Sequence, residues 1–345
     1  MKAAILLGQE QIRIEDIAPP ALKPGEVRIR IEAALTCGTD LKVFKRGYHA
    51  KMIVPPAAFG HELAGVLSEL GDGSSELGWR VGDRVAVANS APCGECFYCR
   101  AGQENLCEDL LFLNGAYAES IVVPARLVQK NLLRLRPETD FRDAALVEPL
   151  ACVVQGVEDT NLRAGQHVLI LGAGPIGLMF AALAKNLGCE LTVAGRHAAR
   201  LEAAQRLGAD QAIDIGDGRE LVTKVRAATG THFDAVIEAV GHPDVWEAAV
   251  QLVRKGGMVN FFGGCPTGIS ITLDTTLIHY SNLTLLASFH HTPHAVRRAL
   301  AYIEAGVIRA ADFVDGECPL TQLPELFKAM AAGNHAIKTL IRVRE

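Results

Sequence analysis

Short apolar runs, interrupted by glycine and proline, make up the first part of the chain. EVRIRIEAAL, HELAGVLSEL and WRVGDRVAVA are examples, and helical periodicity is scarce between them. Short runs separated by frequent turn residues are typical of β-strands. The pattern therefore predicts an irregular, mostly or entirely β domain over residues 1–150.

Beyond residue 150 the pattern changes to an alternation of strand and helix signals. HVLILG and CELTVAG predict strands, and PIGLMFAALAKNLG and HAARLEAAQRLG predict helices. FDAVIEAV, PDVWEAAVQLVRKGG and MVNFFGG continue the series as strand, helix and strand. Such a series folds into a parallel sheet covered by helices. We therefore predict an α/β protein with a doubly wound, Rossmann-type sheet over residues 151–287. Residues 288–345 are of mixed character, and we expect them to return to the first domain.

Composition and charge narrow the class of protein. The chain has 345 residues, of which 49% are hydrophobic and 21% charged, with a formal net charge of −5. These values are typical of a globular protein and disfavour a nucleic-acid partner. The first apolar run is cut short by Glu10 and Arg13, unlike a secretory signal. The longest uncharged run, residues 168–184, contains glycine and proline and is short for a membrane span. We expect a cytoplasmic protein with no membrane partner.

Four of the nine cysteines lie close together in one segment. Cys93, Cys96, Cys99 and Cys107 have the spacing C-x2-C-x2-C-x7-C. In a reducing compartment, clustered cysteines indicate metal binding more than disulfides. Four thiolates in a short loop suit tetrahedral zinc with no open position. The spacing therefore predicts a structural zinc site in residues 93–107, which we call the cysteine loop.

A glycine-rich turn follows the first strand of the predicted parallel sheet. It has the pattern GxGxxG and opens a helix, and its residues are Gly172, Ala173, Gly174, Pro175, Ile176 and Gly177. Glycines here permit a tight turn and close approach of the backbone to a pyrophosphate at the helix N-terminus. The strand–turn–helix context predicts a dinucleotide site.

The end of the next strand bears on which nicotinamide cofactor is used. An NAD enzyme usually has an acidic residue there for the ribose hydroxyls. This chain has Gly195 instead, followed by Arg196 and, four residues later, Arg200. An arginine can pair with a 2′-phosphate, and glycine removes the repulsion of an acid. The sequence thus favours NADP(H). The alternative is that both arginines are solvated surface charges and that NAD is used.

A second set of metal-binding residue types is more dispersed. Cys37 begins CGTD, His61 and Glu62 end GHE, and Glu148 lies in VEPLACV. A cysteine, a histidine and a carboxylate suit a zinc ion that keeps one position open for water or substrate. Each residue alone is ambiguous, but their joint presence with the cysteine loop predicts a catalytic zinc site.

Taken together, these motifs resemble those of a known family. CGTD at 37–40, GHE at 60–62, the cysteine loop, EPLAC at 148–152 and GAGPIG at 172–177 resemble the zinc-containing medium-chain alcohol dehydrogenases, especially the sorbitol and threonine dehydrogenase branch. The resemblance covers essentially the whole chain. It implies a GroES-like catalytic domain, one catalytic and one structural zinc ion, a nicotinamide cofactor, and a homodimer or homotetramer.

The resemblance also implies individual roles. Cys37, His61 and a glutamate would hold the catalytic zinc, and the glutamate is either Glu62 or Glu148. Asp40 would orient His61.

The path of the substrate proton departs from the family pattern. By resemblance, Thr39 would hydrogen-bond the substrate hydroxyl and pass its proton onward. In many relatives a histidine five residues after the zinc-binding cysteine then carries the proton to solvent, but here that residue is Lys42. His49 is the candidate to replace it, or else a surface residue.

These expectations define a zinc-dependent enzyme with a small-molecule substrate. It would transfer a hydride between NADP(H) and a secondary alcohol of a polyol, sugar or cyclitol. The alternative is an NAD-dependent amino-alcohol dehydrogenase of the threonine type. A non-catalytic binding protein is disfavoured, because Cys37, His61, Glu62 and Glu148 are all retained.

Overall fold

A computed structural model describes residues 1–49, 51–230, 232–333 and 336–344 of the chain. The chain divides into two compact units. The first contains Met1–Ala151 and His291–Glu345, and the second contains Cys152–His290. None of the helices in the described part of the chain is long and apolar enough to cross a membrane.

The described residues form strands and helices with the following bounds. The strands are β1 (Lys2–Gly8), β2 (Gln11–Asp16), β3 (Val27–Leu35), β4 (Ala57–Ala58), β5 (Glu62–Leu70), β6 (Arg84–Val87), β7 (Ser90–Ala91), β8 (Leu111–Phe112), β9 (Ser120–Val123), β10 (Leu132–Arg134), β11 (His167–Leu171), β12 (Glu190–Gly195), β13 (Gln211–Asp214), β14 (Phe233–Glu238), β15 (Val253–Phe261), β16 (Thr284–Ala287), β17 (Val314–Pro319) and β18 (Lys338–Arg342). The helices are α1 (Gly38–Arg46), α2 (Phe97–Arg100), α3 (Ala125–Lys130), α4 (Phe141–Ala144), α5 (Val147–Thr160), α6 (Pro175–Asn186), α7 (Ala198–Arg206), α8 (Leu221–Thr229), α9 (Pro243–Leu252), α10 (Thr275–Tyr280), α11 (Pro293–Glu304) and α12 (Leu323–Ala331).

Mixed β-sheets dominate the first unit. In its main sheet the strands follow the order β10-β6-β5-β3-β18-β17, and β9 also pairs with β3. In β3 the residues Val27, Ile29 and Ile31 are buried and alternate with less buried arginines, as expected for a strand with one face on the core. Strand β18, near the C-terminus, pairs antiparallel with β3. The last part of the chain therefore belongs to the same sheet as the first.

Helix α1 corrects the expectation that this region is entirely β. It follows β3 after a short connection, with Cys37 as its N-cap residue, and ends at Arg46 with Gly47 as its C-cap residue, whose φ of 89° few other residues adopt. Asp40 in its first turn and the basic residues in its last turn complement the helix dipole. The helix is only nine residues long, so its periodicity is too brief to stand out among the apolar runs. Its position matters because it carries Thr39 and Asp40.

The second unit contains the predicted parallel sheet. Its strands follow the order β13-β12-β11-β14-β15-β16, so the chain moves from the centre to one edge and then to the other. All adjacent pairs in this sheet are parallel. The predicted α/β class, in which the chain contains both a doubly wound sheet and a mostly β part, is confirmed.

One predicted boundary in this unit is wrong. The segment PDVWEAAVQLVRKGG was predicted to be helical throughout, but α9 ends at Leu252 and β15 begins at Val253. Val253 is paired with Phe233 at the start of β14. Gly256 and Gly257 are poor helix formers, and pairing with the neighbouring strand outweighs the weak helical preference of the segment.

Candidate metal centres and cofactor site

Strand pairing brings together the residues of the predicted catalytic metal site. Cys37 lies between β3 and α1, and His61 and Glu62 lie at the start of β5. Because Leu35 of β3 pairs with Glu62 of β5, these two segments meet. One donor atom each from Cys37, His61 and Glu62 lies within 4.8 Å of the others. Residues more than twenty positions apart thus form one cluster.

A chain of buried hydrogen bonds orients His61. Its Nδ1 lies 2.9 Å from Oδ1 of Asp40, and the Tyr117 hydroxyl donates to Oδ2 of Asp40 at 2.5 Å. An Nδ1–H donated to Asp40 leaves the Nε2 lone pair for a metal ion. Burial by itself lowers the pKa of His61, but Asp40 and then Cys37 outweigh it and raise this pKa well above its usual value. The anionic surroundings therefore favour a positive charge at this point.

Two buried glutamates lie near His61 in different electrostatic settings. Glu148 has Oε2 at 3.9 Å from Nε2 of His61, and burial raises its pKa to about 7. Both oxygens of Glu62 lie 2.6 Å from Nζ of Lys338. Burial alone would lower the pKa of Lys338, but Glu62 outweighs burial and raises it. Glu62 therefore already has a close counter-ion, whereas the Nε2 atoms of His61 and His291 each lie 3.9 Å from an oxygen of Glu148.

Lys338 and Tyr117 are functional-site residues that the sequence motifs did not indicate. Lys338 is buried, and its Nζ also donates to the carbonyl oxygen of Thr36 at 3.0 Å. Tyr117 is fully buried against the apolar core of the unit. Lys338 contacts Glu62 of the GHE motif and Tyr117 contacts Asp40 of the CGTD motif, but both are distant in sequence from the motif they contact. The only signal in the sequence was a lysine within the apolar run AIKTLIRV.

The cysteine loop brings its four sulfur atoms into one group. The Sγ atoms of Cys93, Cys96, Cys99 and Cys107 all lie within 4.8 Å of one another, and none is in a disulfide. Main-chain amides point at the sulfurs: the N–H of Cys93 donates to Cys107 and that of Cys96 donates to Cys93. Main-chain N–H groups of Cys99 and Glu108 lower the pKa of Cys96 to about 6. Burial, by contrast, raises the pKa of Cys99 to about 12 and also raises that of Cys107. Four sulfur atoms grouped within one short loop fit a closed tetrahedral zinc site.

The two residues predicted for the proton path lie in different settings. Thr39 is half-buried in the first turn of α1, and its main-chain N–H donates to Cys37 Sγ at 3.4 Å. His49 is also half-buried, and burial, followed by Arg46, lowers its pKa. Its Nδ1 accepts the main-chain N–H groups of Lys51 and Met52 at 3.3 and 3.1 Å.

A cavity of about 580 Å³ lies at the carboxyl ends of the central strands of the second unit. We call it the cofactor cavity. Five of the predicted cofactor residues line it: Gly172, Gly174, Gly195, Arg196 and Arg200. Pro175, Ile176 and Gly177 instead form the first turn of α6, where a side chain at Gly177 would collide with the carbonyl oxygen of Gly172. Residues that the motifs did not indicate also line the cavity: Ile215, Asp217, Gly218, Arg219, Val240 and His242.

Gly195 has a packing role that is independent of the cofactor. A Cβ atom at this position would lie 2.6 Å from Cβ and 2.9 Å from N of Ala173. The lack of an acidic side chain at the end of β12 therefore follows from close packing as well. The identity of residue 195 therefore does not indicate which cofactor is used, whereas Arg196 can indicate it.

Glu238 is a further buried acid beside the cofactor cavity. Its carboxylate accepts the main-chain N–H groups of Val240 and Gly241 at 2.8 and 3.0 Å. Burial raises the pKa of Glu238 to about 7. The side chain thereby anchors the turn after β14, which contributes Ala239 and Val240 to the cavity wall.

Comparisons with known proteins agree with this arrangement. The chain matches the family models for the alcohol dehydrogenase GroES-like domain over residues 23–132 and the zinc-binding dehydrogenase over residues 175–305. It is 31% identical to a sorbitol dehydrogenase from Bombyx mori, over 99% of this chain and 98% of that protein. A zinc-binding dehydrogenase from Sinorhizobium meliloti 1021, solved with NADP, gives a TM-score of 0.89 at 28% identity and covers 99% of this chain and 98% of that chain. An alcohol dehydrogenase from E. coli CFT073, solved with NADH, gives a TM-score of 0.87 at 26% identity, with 99% and 98% covered.

The chain belongs to the zinc-containing medium-chain alcohol dehydrogenase family, in its sorbitol dehydrogenase-like branch. The predicted reaction class is confirmed: this is an oxidoreductase that acts on an alcohol with zinc and a nicotinamide cofactor.

Proposed function

We propose that the enzyme transfers a hydride between a secondary alcohol of a polyol, sugar or cyclitol and NADP(H). The observation that carries this proposal is the group of metal-binding side chains in the first unit, in which Cys37 and His61 lie together with Glu62 and in which Glu148 lies 3.9 Å from His61. The sorbitol dehydrogenase relative supports a polyol substrate. We assign catalysis to the first unit and cofactor binding to the second.

The catalytic zinc would be held by Cys37, His61 and Glu148. Sulfur, imidazole and carboxylate ligands suit this ion and leave a position for the substrate. Of the two glutamates, Glu148 is the better ligand, since Lys338 holds both oxygens of Glu62. Glu62 lies in the same group as Cys37 and His61 but forms a buried ion pair with Lys338. A structural zinc would be held by Cys93, Cys96, Cys99 and Cys107.

Protein groups around the cluster have two roles: they orient His61, and they transfer the substrate proton. Zinc supplies Lewis-acid polarisation of the substrate hydroxyl, and the nicotinamide supplies the hydride acceptor. Tyr117 and Asp40 hold His61 in one tautomer and one orientation, so its Nε2 is available without rearrangement. Thr39, in the first turn of α1, would accept a hydrogen bond from the substrate hydroxyl and, as it takes that proton, give its own hydroxyl proton to water.

A substrate panel tests the proposal. Purified enzyme is mixed with sorbitol and other polyols, sugars, cyclitols and L-threonine, each with NADP and with NAD, and formation of the reduced nicotinamide is followed by absorbance. We expect the highest kcat/KM with a polyol, sugar or cyclitol. Activity confined to L-threonine with NAD would replace the proposal with the threonine-type alternative.

Loss of one ligand in the cysteine loop should destabilise the protein more than it changes the chemistry. Cys99→Ser removes one of four sulfur ligands, and a closed zinc site contributes directly to folding. We expect a fall in the urea denaturation midpoint equivalent to at least about 2 kcal/mol, and kcat within about threefold for the fraction that stays folded. The matched control is Cys189→Ser, a buried cysteine outside the loop. Equal midpoints for the two variants would refute a structural metal at the loop.

The geometry of His49 argues against its predicted role as proton relay. In the neutral ring, Nδ1 is the only lone pair available to accept a proton, and two main-chain N–H groups occupy it. We therefore expect His49→Gln to change kcat by less than about twofold, as for a group outside the reaction. Rates should be measured across the pH range. A large loss of rate together with a shifted pH profile would restore His49 as the relay.

The cofactor preference rests on Arg196. A charge-assisted hydrogen bond to phosphate contributes about 1.5–3 kcal/mol, or one to two decades in affinity. We expect a higher kcat/KM with NADP than with NAD, and Arg196→Ile should lower the value for NADP by about tenfold and leave that for NAD nearly unchanged. Residue 195 is left as glycine, because a side chain there would strike Ala173. An unmodified enzyme that uses NAD as well as NADP would contradict this preference.

A further inference from the structure

The turn that follows β13 lies beside Arg196 in the cofactor cavity. Asp217, Gly218 and Arg219 all line that cavity. The main-chain carbonyl of Asp217 accepts a hydrogen bond from Nη2 of Arg196. The turn itself is closed by the N–H of Gly218, which donates to the carbonyl of Ile215 at 3.0 Å. Two successive strand-to-helix connections of the sheet are thus linked through one guanidinium group.

Gly218 makes room for that link. A Cβ atom there would lie 2.8 Å from Nη2 of Arg196, and the φ of Gly218 is +89°. The guanidinium group therefore occupies the space that a side chain would fill. Its partner in the turn is a neutral carbonyl, so this contact fixes the position of Arg196 without itself being an ion pair.

Arg219 is held differently, by an exposed ion pair. Its Nε lies 2.6 Å from the carboxylate of Asp217, and the two side chains are 87% and 59% exposed. The main-chain N–H of Arg219 also donates to that carboxylate at 3.1 Å. Exposed ion pairs contribute little free energy, because water and salt screen them. A phosphate dianion entering the cavity can therefore compete for Arg219.

We infer that this turn completes the site for the 2′-phosphate of NADP, with Arg219 as a second phosphate-binding residue. Asp217 has two opposed effects. Its carbonyl positions Arg196, whereas its carboxylate repels the phosphate and engages Arg219. The balance between these two effects determines how strongly the enzyme prefers NADP over NAD. The inference rests on the proposed use of NADP(H).

Binding of two adenosine nucleotides tests the inference without catalysis. Adenosine 2′,5′-bisphosphate and adenosine 5′-monophosphate differ only in the 2′-phosphate, and their affinities are measured by titration calorimetry at low ionic strength. We expect Arg219→Gln to weaken binding of the bisphosphate about tenfold, the loss of one charge-assisted contact, and to leave the monophosphate within about twofold. Asp217→Asn keeps the carbonyl and should strengthen binding of the bisphosphate by about threefold.

A matched control distinguishes loss of a phosphate-binding residue from a general change in the net charge of the protein. Arg206→Gln removes an exposed arginine in the last turn of α7 that is not among the residues lining the cavity. Equal bisphosphate affinities of the Arg219→Gln and Arg206→Gln variants would overturn the inference. Loss of affinity for both nucleotides in Arg219→Gln would also overturn it, since the turn would then only shape the cavity. An unmodified protein that binds both nucleotides equally would instead refute the NADP proposal itself.

Discussion

Cys37→Ser and His61→Ala should each lower kcat by at least about a thousandfold, since both remove a ligand of the group that polarises the substrate. His61 is buried and fixed by Asp40, and Cys37 lies in the same cluster. Affinity for NADPH, measured by its fluorescence, should stay within about threefold, because the cofactor cavity is lined by residues of the second unit.

Cys318→Ser is the matched control for this prediction. Cys318 is buried in the first unit, but its sulfur lies in β17 and is not grouped with other metal-binding side chains of the described chain. The same chemical change there should leave kcat within about threefold, as expected away from the reacting groups. Near-normal turnover of Cys37→Ser or His61→Ala would show that the reaction does not depend on this cluster.

Lys338→Met should destabilise the protein by about 3–5 kcal/mol, because it leaves the carboxylate of Glu62 buried without a counter-ion. Both side chains are almost fully buried, and each oxygen of Glu62 lies 2.6 Å from Nζ of Lys338. The carbonyl of Thr36 would also lose its hydrogen bond from Nζ. The effect should be measured as the shift of the urea denaturation midpoint.

Two further variants identify the cause of that loss. Glu62→Gln combined with Lys338→Met removes both charges and should recover more than half of the lost stability, as found when a buried pair is replaced as a unit. Lys328→Met removes an exposed lysine of α12 and should change stability by less than about 0.5 kcal/mol. If the double variant were no more stable than Lys338→Met alone, the buried charge of Glu62 would not be the cause.

Local sequence patterns were sufficient to predict the sheet of the second unit and the cysteine loop. The strands β11 and β12 and the helix α6 follow from apolar runs and a glycine turn within about thirty residues. In the same way, Cys93 and Cys107 are close in sequence as well as in space. Such elements depend on neighbours along the chain, so their spacing carries the information.

The supporting residues could not be predicted in this way. Lys338 lies 276 positions from Glu62, and Tyr117 lies 77 positions from Asp40. These contacts are produced by the pairing of distant strands, and no spacing rule connects the partners. The turn at Asp217 reaches Arg196 only because β13 lies beside β12 in the sheet. Helix α1 was missed for a related reason, since its nine residues depend on capping at Cys37 more than on periodicity.

Zinc content of the unmodified enzyme and of Cys37→Ser, measured by elemental analysis, tests the central claim most directly. The claim is that one ion sits at Cys37, His61 and Glu148 and another in the cysteine loop, so that the two centres are independent. We predict close to two zinc ions per chain in the unmodified enzyme and close to one in Cys37→Ser, with the urea denaturation midpoint nearly unchanged. A single zinc ion in the unmodified enzyme, or an unchanged zinc content in Cys37→Ser, would contradict it.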